Sequence, residues 1–174
     1  MRFSSRRIAT LAMLAALASV TFIIEGLFPP LIVPGAKMGL SNIFSLLAVV
    51  LFSPVDGVIL VAVRTTIGAL VTGSMSAWLY SFSAGVVSVA VSGFLYRLAG
   101  DRLSLLSISV AAAAAHNVTQ NTVFCLITST PEMYAYLPYL AAVGVPAGLI
   151  VGVAAALILK SAPFDRFLKD DCLR

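Results

Sequence analysis

Apolar residues fall in six runs, predicted at residues 8–28, 39–53, 57–72, 78–98, 103–127 and 139–159, with short polar or Gly/Pro-rich breaks between them. The longer runs reach the roughly 20 residues that a helix needs to cross the hydrocarbon core of a bilayer. Each break has a physical cause. Pro29, Pro30 and Pro34 stop the first run, because proline removes a backbone donor and disfavours helix in the residue before it. Pro54 to Gly57 and Gly73 to Ala77 read as turns, Arg97, Asp101 and Arg102 as a charged turn, and Thr128 to Pro138 as an exit loop. The expected fold is all-α: one integral-membrane domain, a polytopic bundle of about six transmembrane helices. The first run has a competing reading as a signal peptide, since Arg2, Arg6 and Arg7 precede it and Ala16-Leu17-Ala18 mimics a cleavage site; the apolar residues, however, continue well past that point.

Polar residues inside these runs carry the functional information. The stretch from Ala111 to Cys125 places His116, Asn117, Thr119, Gln120 and Asn121 in the middle of a spanning segment. Polar groups left unpaired in hydrocarbon are costly, so such side chains face a bundle interior or a cavity. His116 and Gln120 are four apart, as are Asn117 and Asn121, and this spacing puts both pairs on one broad helix face. They read either as substrate-lining groups or as interhelical hydrogen-bond glue. Arg64 lies near the middle of the third run and needs an anion, carbonyls or a carboxylate; Glu25, near the end of the first run, is the structural candidate. The segment Pro34-Gly35-Ala36-Lys37-Met38-Gly39-Leu40-Ser41-Asn42 reads as a re-entrant or capping loop that opens a helix, with Lys37 placed to attract an anion or to snorkel to the interface. Small residues form further stripes. Ala12 with Ala16 and Ala15 with Ser19 make two small-xxx-small pairs; Ser81, Ser83, Gly85, Ser88, Ser92 and Gly93 line the fourth run; Gly144, Gly148 and Gly152 recur every four residues in the sixth. Such stripes allow close helix approach, internally or to a partner.

Composition agrees with a membrane protein: 60% of the 174 residues are hydrophobic and 10% charged, against the roughly 25% charged of soluble domains. The net charge of +4 does not point to nucleic acid. With the N-terminus inside, Arg2, Arg6, Arg7, Arg97, Arg102, Lys160, Arg166, Lys169 and Arg174, nine of the eleven basic residues, fall on the inner side. Both termini are therefore expected in the cytoplasm. That topology allows Glu25, Lys37, Asn42, Arg64, His116, Asn117 and Gln120 to converge on an outward-opening pocket, with Asn121 beside them. Cys125 lies in an apolar run and Cys172 in the tail, so neither a disulfide nor a metal site is expected, and no cofactor motif stands out. There is no Walker-type phosphate loop, so transport would need an ion gradient, simple facilitation or an energising partner.

The Lys-x-Gly-Leu-x-Asn segment at Lys37 to Asn42, Arg64 in an apolar span, the Ser81 to Ser92 stretch with Gly85, and His116-Asn117 followed by Gln120 together resemble the Gx transporter family. That family is also catalogued as heptaprenyl diphosphate synthase component I, and it looks like the substrate-binding S components of energy-coupling factor transporters. The resemblance implies a six-helix bundle that captures a micronutrient from outside and docks on a transmembrane coupling protein with two ATPase subunits. In such proteins an alanine-rich face of the first helix meets the coupling protein, which Ala12, Ala15, Ala16 and Ser19 match here. One departure is that Ala111 to Ala115 leaves no glycine immediately before His116. The synthase label fits the chemistry poorly: prenyl diphosphate synthases hold magnesium and diphosphate with paired aspartate-rich motifs, and the adjacent aspartates here are Asp170 and Asp171, in the tail.

The expected function is a non-enzymatic uptake protein in the plasma membrane of a prokaryote. It binds a small anionic or polar substrate from the outer side and works as the substrate-binding component of an energy-coupling factor transporter. A stand-alone secondary transporter and an accessory membrane subunit for isoprenoid or quinone synthesis are the alternatives.

Overall fold

The computed structural model describes residues 5–27, 39–99 and 102–161, and all regular elements among these residues are helical. They are α1 (Ser5–Leu27), α2 (Asn42–Leu51), α3 (Pro54–Thr72), α4 (Met75–Ala99), α5 (Leu105–Thr128) and α6 (Leu137–Leu159), with a 3-10 helix at Pro131–Tyr136 before α6. Local chemistry sets these ends. Ser53 is extended, its Oγ accepts from the Asp56 N–H at 3.3 Å, and Pro54 takes the first helical position, where no donor is needed. α3 therefore starts before the predicted residue 57. It stops at Gly73, whose φ of 68° a residue with a Cβ rarely adopts, and α4 begins two residues later, not at 78. Ser104 caps α5 by accepting from the Ser107 N–H at 3.2 Å. Part of the predicted exit loop is thus helical, and α6 starts with Pro138 in its first turn.

The largest departure from expectation is α2. A span over 39–53 was the prediction, but the helix has only 10 residues, about 15 Å at 1.5 Å per residue and half a hydrocarbon core. Gly39 adopts φ 71°, and the Asn42 N–H reaches back to the Gly39 carbonyl at 2.9 Å, so residues 39–42 form a turn. At the other end the N–H groups of Phe52 and Ser53 both reach Ala48 O, which closes the helix. α1, α3, α4 and the segment Pro131–Leu159 are long and apolar enough to cross a membrane. α5 is as long, at 24 residues, and its polar stretch from His116 to Asn121 is what lowers its hydropathy. The chain is a membrane-embedded helical bundle.

α2 sits at the centre of the bundle. It packs against α1, α3, α4 and α6, and Ser45, Leu46, Leu47, Ala48, Val49 and Leu51 are all buried. Leu14 and Ala18 of α1, Leu60 of α3, Ile108 of α5 and Val151 and Ala155 of α6 complete the core around it. The other helices follow one another around this centre, α1 beside α3, α3 beside α4, α4 beside α5 and α5 beside α6. The α5–α6 seam is the tightest. A Cβ on Gly148 would lie 2.6 Å from Val110 Cα, and one on Gly152 would lie 2.9 Å from Leu106 Cα. The glycines of α6 thus let the two backbones touch, and van der Waals contact of this kind drives helix association where lipid removes the hydrophobic drive.

Candidate functional site

The turn at residues 39–42 is gripped from two sides. From α1, Glu25 accepts from the backbone N–H of Leu40 at 2.7 Å and of Ser41 at 3.4 Å. From α3, Arg64 donates to Ser41 Oγ at 2.6 Å and to Asn42 Oδ1 at 2.7 Å. Arg64 is only 1% exposed, although it lies near the middle of a membrane helix. Its guanidinium carbon stands 5.9 Å from the centre of the Phe22 ring, and Phe22 in turn occupies the space beside Gly68, where a Cβ would collide with the ring at 2.3 Å. Glu25 and Arg64 form no direct ion pair. Their opposite charges are joined through one turn of backbone, and a guanidinium satisfied by a hydroxyl and an amide carbonyl spends two fork positions without a carboxylate. Arg64 Nε is buried and makes no hydrogen bond.

Beyond this turn lies a cavity of about 20 Å³ between α2, α4, α5 and α6. Its polar lining consists of Asn42, Ser45, Ser88, Ser92, Ser109 and Asn117, and no ionisable side chain lines it among the described residues. Two of the hydroxyls, Ser45 Oγ and Ser109 Oγ, are buried and make no hydrogen bond, with their residues 4% and 2% exposed. Ser92 Oγ donates to Ser88 O at 2.8 Å and is satisfied within its own helix. Asn42 has committed its oxygen to Arg64, and Asn117 donates to Leu140 O at 2.9 Å. Besides the Ser88 hydroxyl, which makes no hydrogen bond among the described residues, what remains is the Nδ2 donor group of Asn42 and the Oδ1 acceptor of Asn117. Gly39 makes room at this end, since a Cβ there would lie 2.9 Å from Asn42 Nδ2.

Of the residues singled out from sequence, Glu25, Asn42 and Arg64 meet at the turn, and Asn42 and Asn117 share the cavity. His116, Gln120 and Asn121 are buried on α5. Asn121 donates to Met133 O at 3.1 Å, so it ties α5 to the 3-10 helix, much as Asn117 ties α5 to α6. Lys37 lies outside the described residues. On α1, Ala12 and Ala16 are exposed and Ala15 is half-buried, while Ser19 is buried with its hydroxyl on Ala15 O at 2.8 Å. The two small-residue pairs therefore face different ways. Sequence reasoning missed Ser45 and Ser109, although the signal was present: Ser109, Ala112 and His116 follow i, i+3, i+7 spacing, and Ser45 is three residues after Asn42.

The chain matches the family described as heptaprenyl diphosphate synthase component I over residues 14–158. It belongs to that family. No curated protein matches it. Among solved structures, one described as "Structure and mechanism of the S component of a bacterial ECF transporter" superposes with a TM-score of 0.71. The match covers 94% of this chain and 98% of that chain at 22% identity, so the two share a fold. The family's description speaks of a synthase, whereas the matching fold is found in a transporter component.

Proposed function

We propose that this protein is the substrate-capturing membrane component of an energy-coupling factor type uptake system. The observation that carries the reading is a polar cavity inside an S-component fold, beside a turn held by the half-buried Glu25 and the buried Arg64. Transport proteins place their binding groups at the middle of the membrane, where irregular backbone is tolerated because it lines a cavity. Here the turn at 39–42 is that irregular backbone, and it follows directly on the α1–α2 connection, which carries Lys37. In this reading a small polar molecule enters from the outer side. Asn42 and Asn117 supply contacts in the cavity, which His116 and Gln120 do not line; Asn121 holds α5 in place, and Glu25 and Arg64 fix the turn. The termini are cytoplasmic, and the exposed Ala12 and Ala16 of α1 offer a smooth strip to a transmembrane coupling protein that carries two ATPase subunits. Among the described residues, Arg6 and Arg7 open α1, Arg97 closes α4, Arg102 precedes α5 and Lys160 follows α6, ends that alternating helices put on one side, which supports that orientation.

Gentle purification from the cell's own membranes, followed by native mass spectrometry, tests this. The expected result is a retained metabolite together with a membrane protein and two ATPases. A prenyl synthase as the partner, with no metabolite, contradicts the proposal and restores the meaning of the family's description.

A further inference from the structure

The cavity between α2, α4, α5 and α6 says more about what is captured. Its two buried hydroxyls without partners come from different helices, Ser45 from α2 and Ser109 from α5. Single hydroxyls on membrane helices ordinarily satisfy themselves on the carbonyl four residues back, as Ser19, Thr65, Ser83, Ser92 and Thr122 all do here. Ser45 and Ser109 forgo that bond although each sits in a regular helix with such a carbonyl within reach. A buried hydroxyl without a partner is destabilising, so two that line one cavity mark a place reserved for a third party.

The chemistry of that party follows from charge. No ionisable side chain lines the cavity among the described residues, and the nearest guanidinium has turned both fork nitrogens to Ser41 and Asn42. Glu25, on the far side of the same turn, offsets its charge. An anion placed here would lose its hydration and meet no cation, whereas hydroxyls and amides act as donor or acceptor as required. The volume of about 20 Å³ takes a group about the size of one water molecule, which needs roughly 10–15 Å³ by the same measure. We infer that the cavity seats one uncharged hydrogen-bonding group of the captured molecule, a hydroxyl or an amide, between Ser45 and Ser109. This rests on the capture reading above and narrows its substrate class from anionic or polar to molecules with a neutral hydrogen-bonding end.

The test compares Ser45→Ala, Ser109→Ala and the double variant with the wild type, purified from their own membranes. It measures the melting temperature after the small molecule has been washed out, and the metabolite retained before washing. Removing a hydroxyl that has no partner in the protein raises the melting temperature of the washed double variant, by roughly 2 °C or more for a chain of this size. Retention falls at least about tenfold, the ratio that corresponds to one lost hydrogen bond of ordinary strength to a bound group. Fragmentation of the compound released by the wild type shows a hydroxyl or an amide. Three results overturn the inference: unchanged retention, an unchanged or lower melting temperature, or a released compound whose only polar groups are carboxylates or phosphates. An unchanged melting temperature means that a resident water serves the two hydroxyls. If the wild type retains no metabolite, the capture reading fails by itself. The melting temperatures still decide this inference, a rise supporting a reserved seat and no rise overturning it.

Discussion

A charged side chain of α1 stands at the joint beside each end of α2, yet the two joints are built differently. At the Phe52 end, Arg7 of α1 pairs directly with Asp56 at 2.5 Å, and Ser53 donates to the same carboxylate oxygen at 2.6 Å. Arg7 also lies 5.5 Å from the centre of the Phe52 ring. Asp56 is buried, and every partner it has belongs to this joint. At the Asn42 end, Glu25 and Arg64 never touch; each holds residues 40–42, one through backbone N–H groups and the other through side chains. A joint of the first kind sets a cation directly against a carboxylate and holds helix ends together. The second kind routes its charges through a turn that also lines a cavity, so whatever displaces that turn is felt by both α1 and α3. Under the proposed function, the first joint serves stability and the second serves substrate capture.

Breaking each joint should separate the two roles. The largest effect belongs to Arg64→Met, which leaves Ser41, Asn42 and Glu25 without their buried cation. Each buried acceptor left without its donor costs about 1–3 kcal/mol, and melting of the purified protein should fall accordingly, with uptake abolished. Next, Arg7→Met should cost about 1–2 kcal/mol, less than a fully buried pair because Arg7 keeps 18% side-chain exposure. Uptake per folded molecule should then stay at the wild-type level; a loss of uptake beyond the loss of folded protein would erase the distinction between the joints. Gly39→Ala forces a Cβ into a left-handed turn and against Asn42 Nδ2. It should cost about 1 kcal/mol but impair uptake out of proportion to that. The smallest effect is Ser53→Ala, which removes a helix cap at about 1 kcal/mol or less and should leave uptake untouched.

The bundle itself was legible in the sequence because its signals are additive along the chain: apolar length, proline breaks and basic clusters at one end. So was the smooth face of α6, since the glycines at 144, 148 and 152 share one face; that the neighbour is α5 was not, and these glycines supply the room that the Ala111 to Ala115 stretch does not. The shortness of α2 was hidden, because Leu40 and Phe52 extend the apolar run while Gly39 and the double use of Ala48 O end the helix. The relation of Glu25 to Arg64 was legible as proximity but not as geometry. Which turn comes between two charges depends on tertiary placement, and neither side chain's position in its own helix reveals it. Lone serines are the least legible of all. Ser45 and Ser109 look like the other small residues of a membrane helix until their missing hydrogen bonds are seen.

The central claim, that the Asn42 joint is part of a capture site and the Arg7 joint is not, meets its most direct test in two charge-preserving substitutions. Lysine keeps the positive charge but cannot reach two acceptors in the fixed fork of a guanidinium. Metabolite retained per folded protein should be measured by native mass spectrometry for Arg64→Lys and Arg7→Lys beside the wild type. The account predicts at least a tenfold loss for Arg64→Lys and wild-type retention for Arg7→Lys. Equal retention in both variants, or greater loss from Arg7→Lys, would contradict it.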